Sequence, residues 1–535
     1  MFSKEHEAFI IRKAEIIMFI KILMLLVFFA VAIGIGVYCK KQATDVHGFV
    51  LGSRSVGPWL TAFAYGTSYF SAVIFIGYAG QFGWKYGLAS TWIGLGNAFI
   101  GSLMAWAVLG RRTRIMTQHL DAATMPDFFG KRFDSKALKI AAAVIIFIFL
   151  IPYTASVYNG LSRLFGMAFN IDYSYCVIGM AVLTAIYVTL GGYMATAIND
   201  FIQGCIMLVG IAVTILAVLN INGGFLGSLE ALSQVTGAEG TSESWPGVFN
   251  SFFGPDPLNL LGVVILTSLG TWGLPQMVGK FYAIKSEKDI SIGTIVSTGF
   301  AIVVAGGCYF LGGFGRLFGD VIAYNETTGA PVYDSIIPSM LALLPDLLIA
   351  VVVMLVLSAS MSTLSSLVLT SSSVMTLDMI HGTVVKNMDE KKKVSTMRAL
   401  IVVFIVVSAA IALVQYKSSV TFIAQLMGIS WGALAGAFLG PFLYSLYWKK
   451  VTKAAVWASF ICGVGITTSN MLLGFAGKAF IASPINCGAA AMILSLIIVP
   501  VVSLITAKPD DSKMHEIFGC YDEKVQVSRK NALED

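Results

Sequence analysis

Charged residues make up only 12% of this chain, about half the share that coats a soluble domain. That shortage excludes a protein that faces water on every side. Clustered cysteines are also missing. Cys39, Cys176, Cys205, Cys308, Cys462, Cys487 and Cys520 stand apart without CxxC or paired spacing, mostly inside apolar runs. The pattern argues against a disulfide framework or a zinc site, and there is no HExxH motif. The five histidines (His6, His47, His119, His381 and His515) fall in tails, loops or the ends of apolar runs. An intramembrane protease or acyltransferase would need a buried His, a Cys/His pair or paired carboxylates in its spans, so the sequence points away from an enzyme. The net charge of +6 comes from basic residues in short loops, which implies topology rather than a nucleic-acid partner.

What the chain has is hydrophobic length. Of its 535 residues 57% are hydrophobic, and the mean hydropathy is +0.82. Thirteen apolar runs approach the roughly 20 residues that a bilayer-spanning helix needs. Their expected limits are 18–39, 58–82, 88–110, 139–166, 173–195, 199–219, 257–279, 291–315, 338–376, 398–416, 419–447, 454–475 and 480–506. The fold class is therefore an all-α, multi-pass membrane protein, whose first partner is the lipid bilayer. No A-x-A-like site ends the first run, so it is expected to be retained.

Loop charge sets the orientation. Lys40 and Lys41, the run Arg111 to Arg114, Lys131 and Arg132, Lys280 to Lys288, Lys391 to Lys393, Lys449 and Lys450, and Lys508 lie on one side. The connection from Leu219 to Leu260, on the other side, contains no Lys or Arg. The positive-inside rule places the N-terminus outside and the C-terminus in the cytoplasm, although Lys4, Arg12, Lys13 and Lys21 run against it.

Two spans look interrupted. The second carries Gly66 and a Thr-Ser-Tyr-Phe-Ser run at mid-depth; the seventh carries Gly270, Gly273 and Pro275. Glycine weakens helix and proline removes a donor, and broken backbone is tolerated in a membrane where it is buried or lines a cavity. The breaks are five spans apart, so they begin two five-span units of opposite orientation, a common pointer to a transporter binding site. The expected divisions are 1–57, a first repeat at 58–219, an outer loop at 220–256, a second repeat at 257–447, two further spans at 448–507 and a tail at 508–535.

The ninth span contains SASMSTLSS, from Ser358 to Ser366. Helical spacing puts Ser358, Ser362, Ser365 and Ser366 on one stripe, with Ala359 and Thr363 beside it. Each hydroxyl can bond back to a carbonyl one turn earlier. A cluster on one side instead suits an alkali cation, which needs several neutral oxygens to replace its hydration shell.

The segments RSVGPWLTAFAYGTSYFSA, TMPDFFGKRF, GGYMATAINDFIQG and SASMSTLSS together resemble the sodium/solute symporters, in order, from about Gly48 to Lys508. The resemblance implies thirteen spans with an inverted repeat of the LeuT type, Na+ as coupling ion and a small-molecule substrate. It implies a first sodium site made by the carbonyls of Thr67, Phe70 and Ala359 with the hydroxyls of Ser362 and Thr363. It also implies a second site, found in some members, of Asp200, Ser362, Ser365 and Ser366. Candidate substrate contacts are Ser68, Tyr69, Ser71, Tyr153, Thr271, Trp272 and Gln276, with Arg163 as another partner for an anion.

Tyr69 stands where sodium/proline carriers have Asp, and Ile74 where sialic acid carriers have a hydroxyl. The stretch TSYFSAVIFIGYAGQFGWKYGL looks somewhat closer to pantothenate and monocarboxylate carriers. The expectation is a plasma-membrane, sodium-coupled symporter of a small organic solute, with an amino acid or carboxylate favoured. A sugar or sialic acid carrier, or a solute sensor on the same fold, is the alternative.

Overall fold

The computed structural model describes residues 2–521 apart from 42, 170, 238–244, 327–328, 382–383, 386 and 419–422. The start of the expected span 419–447, part of the outer loop and the end of the tail thus lie outside the described residues. Among those described, the chain is helical, with only isolated β-bridges. Ten helices are long and apolar enough to cross a membrane, or eleven if the bent pair Pro257–Gly273 and Pro275–Ala283 counts as one span. Two of the ten are too long for one crossing. Val73–His119 and Tyr173–Ile221 have 47 and 49 residues. Straight helices of that length would reach about 70 Å, more than twice the hydrocarbon thickness. Each turns at a glycine with left-handed φ: Gly87 at 60° and Gly192 at 57°. Taken as two crossings each, they bring the total to the thirteen expected.

Both expected breaks are present, but not where every glycine suggested. The second span runs as helix over Pro58–Tyr69, becomes extended at Phe70 (φ −96°, ψ 111°) and resumes as helix at Val73. Gly66 sits within the first half; a Cβ there would meet the Phe300 ring at 2.5 Å, so this glycine serves packing against the eighth span. The seventh span breaks at Leu274 (φ −83°, ψ 124°), directly before Pro275, with a 45° bend.

One span boundary needs correction. The expected run 338–376 is two helices, Tyr333–Ala342 and Asp346–Val374, the second continuing with π-type bonding to Ile380. Pro345 separates them, because the residue before a helix can be proline but a helix interior rarely can. Apolar runs flanking the Pro345–Asp346 pair concealed the joint.

The large buried core includes Trp106, Trp431, Tyr153 and Phe70, whereas Leu216, Ile295 and Leu504 are exposed on the outer surface. Large aliphatic residues facing outward along spanning helices are what a lipid solvent requires. At one end, Lys21 of the first span is 2.9 Å from Asp346 at the start of the ninth. One of the four contrary N-terminal charges is therefore paired within the fold.

Candidate functional site

Because the second span stops at Tyr69, its last carbonyls have no amide one turn further on. The ninth span lies against this open end. The Ser362 hydroxyl is 3.1 Å from the Thr67 carbonyl and 3.0 Å from that of Ala359. The Thr363 hydroxyl is 3.3 Å from the carbonyls of Thr67 and Phe70 and 3.1 Å from that of Ala359. All five residues are buried. Two hydroxyls carry two protons, yet five hydroxyl–carbonyl contacts lie within 3.3 Å. At most two of these contacts can be two-centre hydrogen bonds; the others share a proton or set lone pairs against lone pairs, a shortage that a cation between them would relieve. The five residues expected for the first sodium site are thus together.

The rest of SASMSTLSS divides. Ser360 and Ser365 bond back to their own helix, at the Val356 and Ser362 carbonyls. Ser358 is buried without a hydrogen-bond partner among the described residues. Ser366 leaves the stripe's purpose altogether: it is 2.6 Å from Ser68 and accepts from the Lys280 ammonium at 2.9 Å.

Lys280 is the residue that sequence reasoning missed. Grouped there with the basic loop 280–288, it is in fact 3% exposed, on the half-helix that follows Pro275. Its Nζ lies 3.6 Å from Asp200 Oδ2 and 5.2 Å from the centre of the Tyr193 ring. Asp200 is fully buried in the sixth span. Of the residues expected to form a second sodium site, Asp200 and Ser366 gather around this ammonium, while Ser365 is turned to its own backbone. The available signal was a lysine inside the apolar stretch GLPQMVGKFYA, since an ionisable residue within a span is functional by default.

The candidate substrate contacts separate in the same way. Tyr69 and Tyr153 flank Trp431 of the eleventh span, with ring centres 6.1 and 5.9 Å from it. The two tyrosine hydroxyls, the Trp431 Nε1 and the Asn97 Nδ2 are all buried without hydrogen-bond partners among the described residues. Ser71 is buried beside them at the break, its hydroxyl accepting from the Val73 amide at 3.2 Å. Trp431 and Asn97 had no motif to announce them. Gln276 is also buried with both amide atoms unpartnered among the described residues, and it lines a cavity with Lys280, Ser366, Tyr193 and Thr124.

Thr271 and Trp272 face the third span instead, bonding the carbonyls of Gly101 and Ile100 at 2.9 Å. Ser68 belongs with Ser366. Arg163 stands 3.8 Å from Asp334, away from this group.

Comparison with known proteins agrees with this geometry. The family model described as "Sodium:solute symporter family" matches residues 49–463. The osmoregulated proline transporter OpuE of Bacillus subtilis (strain 168) is 29% identical over 507 residues, covering 93% of this chain and 97% of that protein. A sodium/proline symporter of Staphylococcus aureus (strain JH9) is 32% identical over 501 residues, covering 91% and 93%. In three dimensions, a Na+-coupled sialic acid symporter in its substrate-bound outward-open state gives a TM-score of 0.72 over 91% of this chain and 98% of that one. At 15% identity this likeness concerns the fold alone. The chain belongs to the sodium:solute symporter family and is a multi-pass, sodium-coupled solute transporter.

Proposed function

We propose that this protein carries a small zwitterionic amino acid into the cell, with proline the first to test, driven by sodium at the five-oxygen site. The observation that carries the proposal is the excess of oxygen contacts over protons among Thr67, Phe70, Ala359, Ser362 and Thr363. Sodium bound there joins the broken second span to the ninth. The next-door group of Tyr69, Ser71, Tyr153, Trp431 and Asn97 is neutral and rich in unpartnered polar atoms, which suits a solute without net charge. With Tyr69 in place of a carboxylate, the substrate ammonium is received by hydroxyl and carbonyl oxygens at the break. Resemblance to proline carriers over most of the chain supports an amino acid, against the lean of residues 67–88 toward pantothenate and monocarboxylate carriers.

In this reading 58–219 and 257–447 are the two inverted units, which rock about the site. Sodium favours the substrate-competent arrangement; equal affinity for both states would shift nothing. The N-terminus lies outside and the C-terminus in the cytoplasm. In support, Lys513 pairs with Asp134 at 2.8 Å and Tyr521 bonds the Leu446 carbonyl at 3.0 Å, which sets the tail among the basic loops.

The test is uptake into proteoliposomes with an inward sodium gradient, using radiolabelled L-proline, lactate, pantothenate and glucose. Saturable, sodium-dependent accumulation of proline is expected. Sodium-dependent uptake of a carboxylate or sugar instead would refute the amino-acid assignment, and uptake indifferent to sodium would refute the ion site.

A further inference from the structure

We propose that Lys280 is a built-in substitute for a second coupling ion, so that a single sodium ion accompanies each substrate. The inference rests on reading the five-oxygen cluster as the exchangeable sodium site. Some members of the family place a second sodium at an aspartate and nearby serines, and here Asp200 and Ser366 occupy those positions. In this chain an ammonium already stands among them, 2.9 Å from Ser366 Oγ and 3.6 Å from Asp200 Oδ2. The Ser366 hydroxyl continues to Ser68 at 2.6 Å, and the Tyr193 ring covers the ammonium at 5.2 Å. Both ionic side chains are almost wholly buried, with 4% and 0% exposure for Lys280 and Asp200.

The chemistry then leaves no room for another cation. Asp200 and Lys280 cancel, so the pocket presents no net negative charge to draw sodium out of water. A sodium ion on Asp200 and Ser366 would lie within a few ångströms of a like charge with little water to screen it. Like an ion, the lysine neutralises Asp200 and links the sixth, seventh and ninth spans. Unlike an ion, it is tethered and is not released with the substrate. Lys280 borders the cavity that contains Gln276 and Thr124, so its tether sits beside a space in which the ammonium can move.

Equilibrium binding of radioactive sodium to the purified full-length chain tests the idea without requiring transport. One sodium per chain is expected for the natural protein. Lys280→Ala exposes the Asp200 charge and is expected to double the sodium bound, to two per chain. The paired change Asp200→Asn with Lys280→Gln removes both charges and is expected to bind one. If Lys280→Ala does not yield a monodisperse protein, Lys280→Gln serves in its place, since its amide can still bond Ser366. Two sodium ions in the natural protein, or only one in a folded Lys280→Ala or Lys280→Gln single variant, would overturn the proposal while leaving the five-oxygen site intact. No sodium bound in the natural protein would instead overturn the five-oxygen site itself. One sodium bound that persists undiminished in Ser362→Ala with Thr363→Ala would do the same.

Discussion

Thr363 has one proton and three carbonyl oxygens within 3.3 Å, and Ser365, two residues on, has one carbonyl in its own helix. That difference separates the hydroxyl proposed as a ligand from a satisfied one. A hydrogen bond or ligand contact to a charged partner contributes about 1.5–3 kcal/mol. Thr363→Ala should therefore weaken sodium binding roughly tenfold to a hundredfold, at 1.4 kcal/mol per decade. Ser365→Ala should shift it less than about twofold, as judged by sodium titration of binding or uptake. Equal effects from the two changes would mean that the cluster acts through packing. The hydroxyl cluster was legible because hydroxyls are conspicuous in an apolar span. Lys280 was not: Lys285 and Lys288 follow closely and lend it the look of a loop, whereas the bend at Pro275 folds it inward. Its pairing depended on a sixth-span partner that no local pattern specifies.

At the scale of helices, close backbone approach governs. Gly83 of the second span and Gly312 of the eighth face each other, and a Cβ on either would collide with backbone of the other helix. Backbone cannot turn aside as a side chain can. Gly312→Ala should cost at least the ~1–3 kcal/mol typical of overpacking and lower the melting temperature in detergent. Gly465, where an added Cβ would meet nothing within 4 Å, is the control. Ala at that position should be neutral or stabilise by up to about 1 kcal/mol, since glycine is the weaker helix former. A melting temperature insensitive to Gly312→Ala would show that the second and eighth spans yield easily at this contact. Breaks were legible in proportion to their chemistry. Gly273 and Pro275 marked the seventh-span break closely, but the second span opens at Phe70 and Ser71, neither a helix breaker. Tertiary contacts with the ninth span make that opening tolerable, and these are invisible in a local window. Pro345 was overlooked for the converse reason, since the long apolar runs on either side of the Pro345–Asp346 pair read as one.

Across the whole molecule, an oily exterior surrounds a polar seam, and one end is closed by the tail. The tail helix Asp511–Gly519 packs on Arg132, whose guanidinium is fully buried between the Phe133 and Phe518 rings. It donates to Met514 Sδ at 2.7 Å and to the Ser445 carbonyl at 3.4 Å. Burial lowers its pKa to about 10, so it stays protonated at neutral pH. Arg132→Ala should detach the tail, seen as faster hydrogen exchange over 511–521, and cost about 1.5–3 kcal/mol from its lost charged hydrogen bonds. Arg132→Lys should fall between, because an ammonium lacks the planar fork. Unchanged exchange in Arg132→Ala would show that other contacts hold the tail.

The ion pair at the opposite end has a consequence for biosynthesis. Lys21 and Asp346 are 325 residues apart in the chain. At roughly 5–20 residues per second, the ribosome needs about 15–65 s to supply the second after the first. Throughout that interval the first span sits in the nascent membrane with an unmatched lysine near its end, and its long side chain must reach for the interface to stay hydrated. The pairing of Lys21 thus awaits the arrival of the ninth span, and a chain cut short before Asp346 would keep the first span's packing on the helix Tyr173–Ile221 but leave this lysine without its partner.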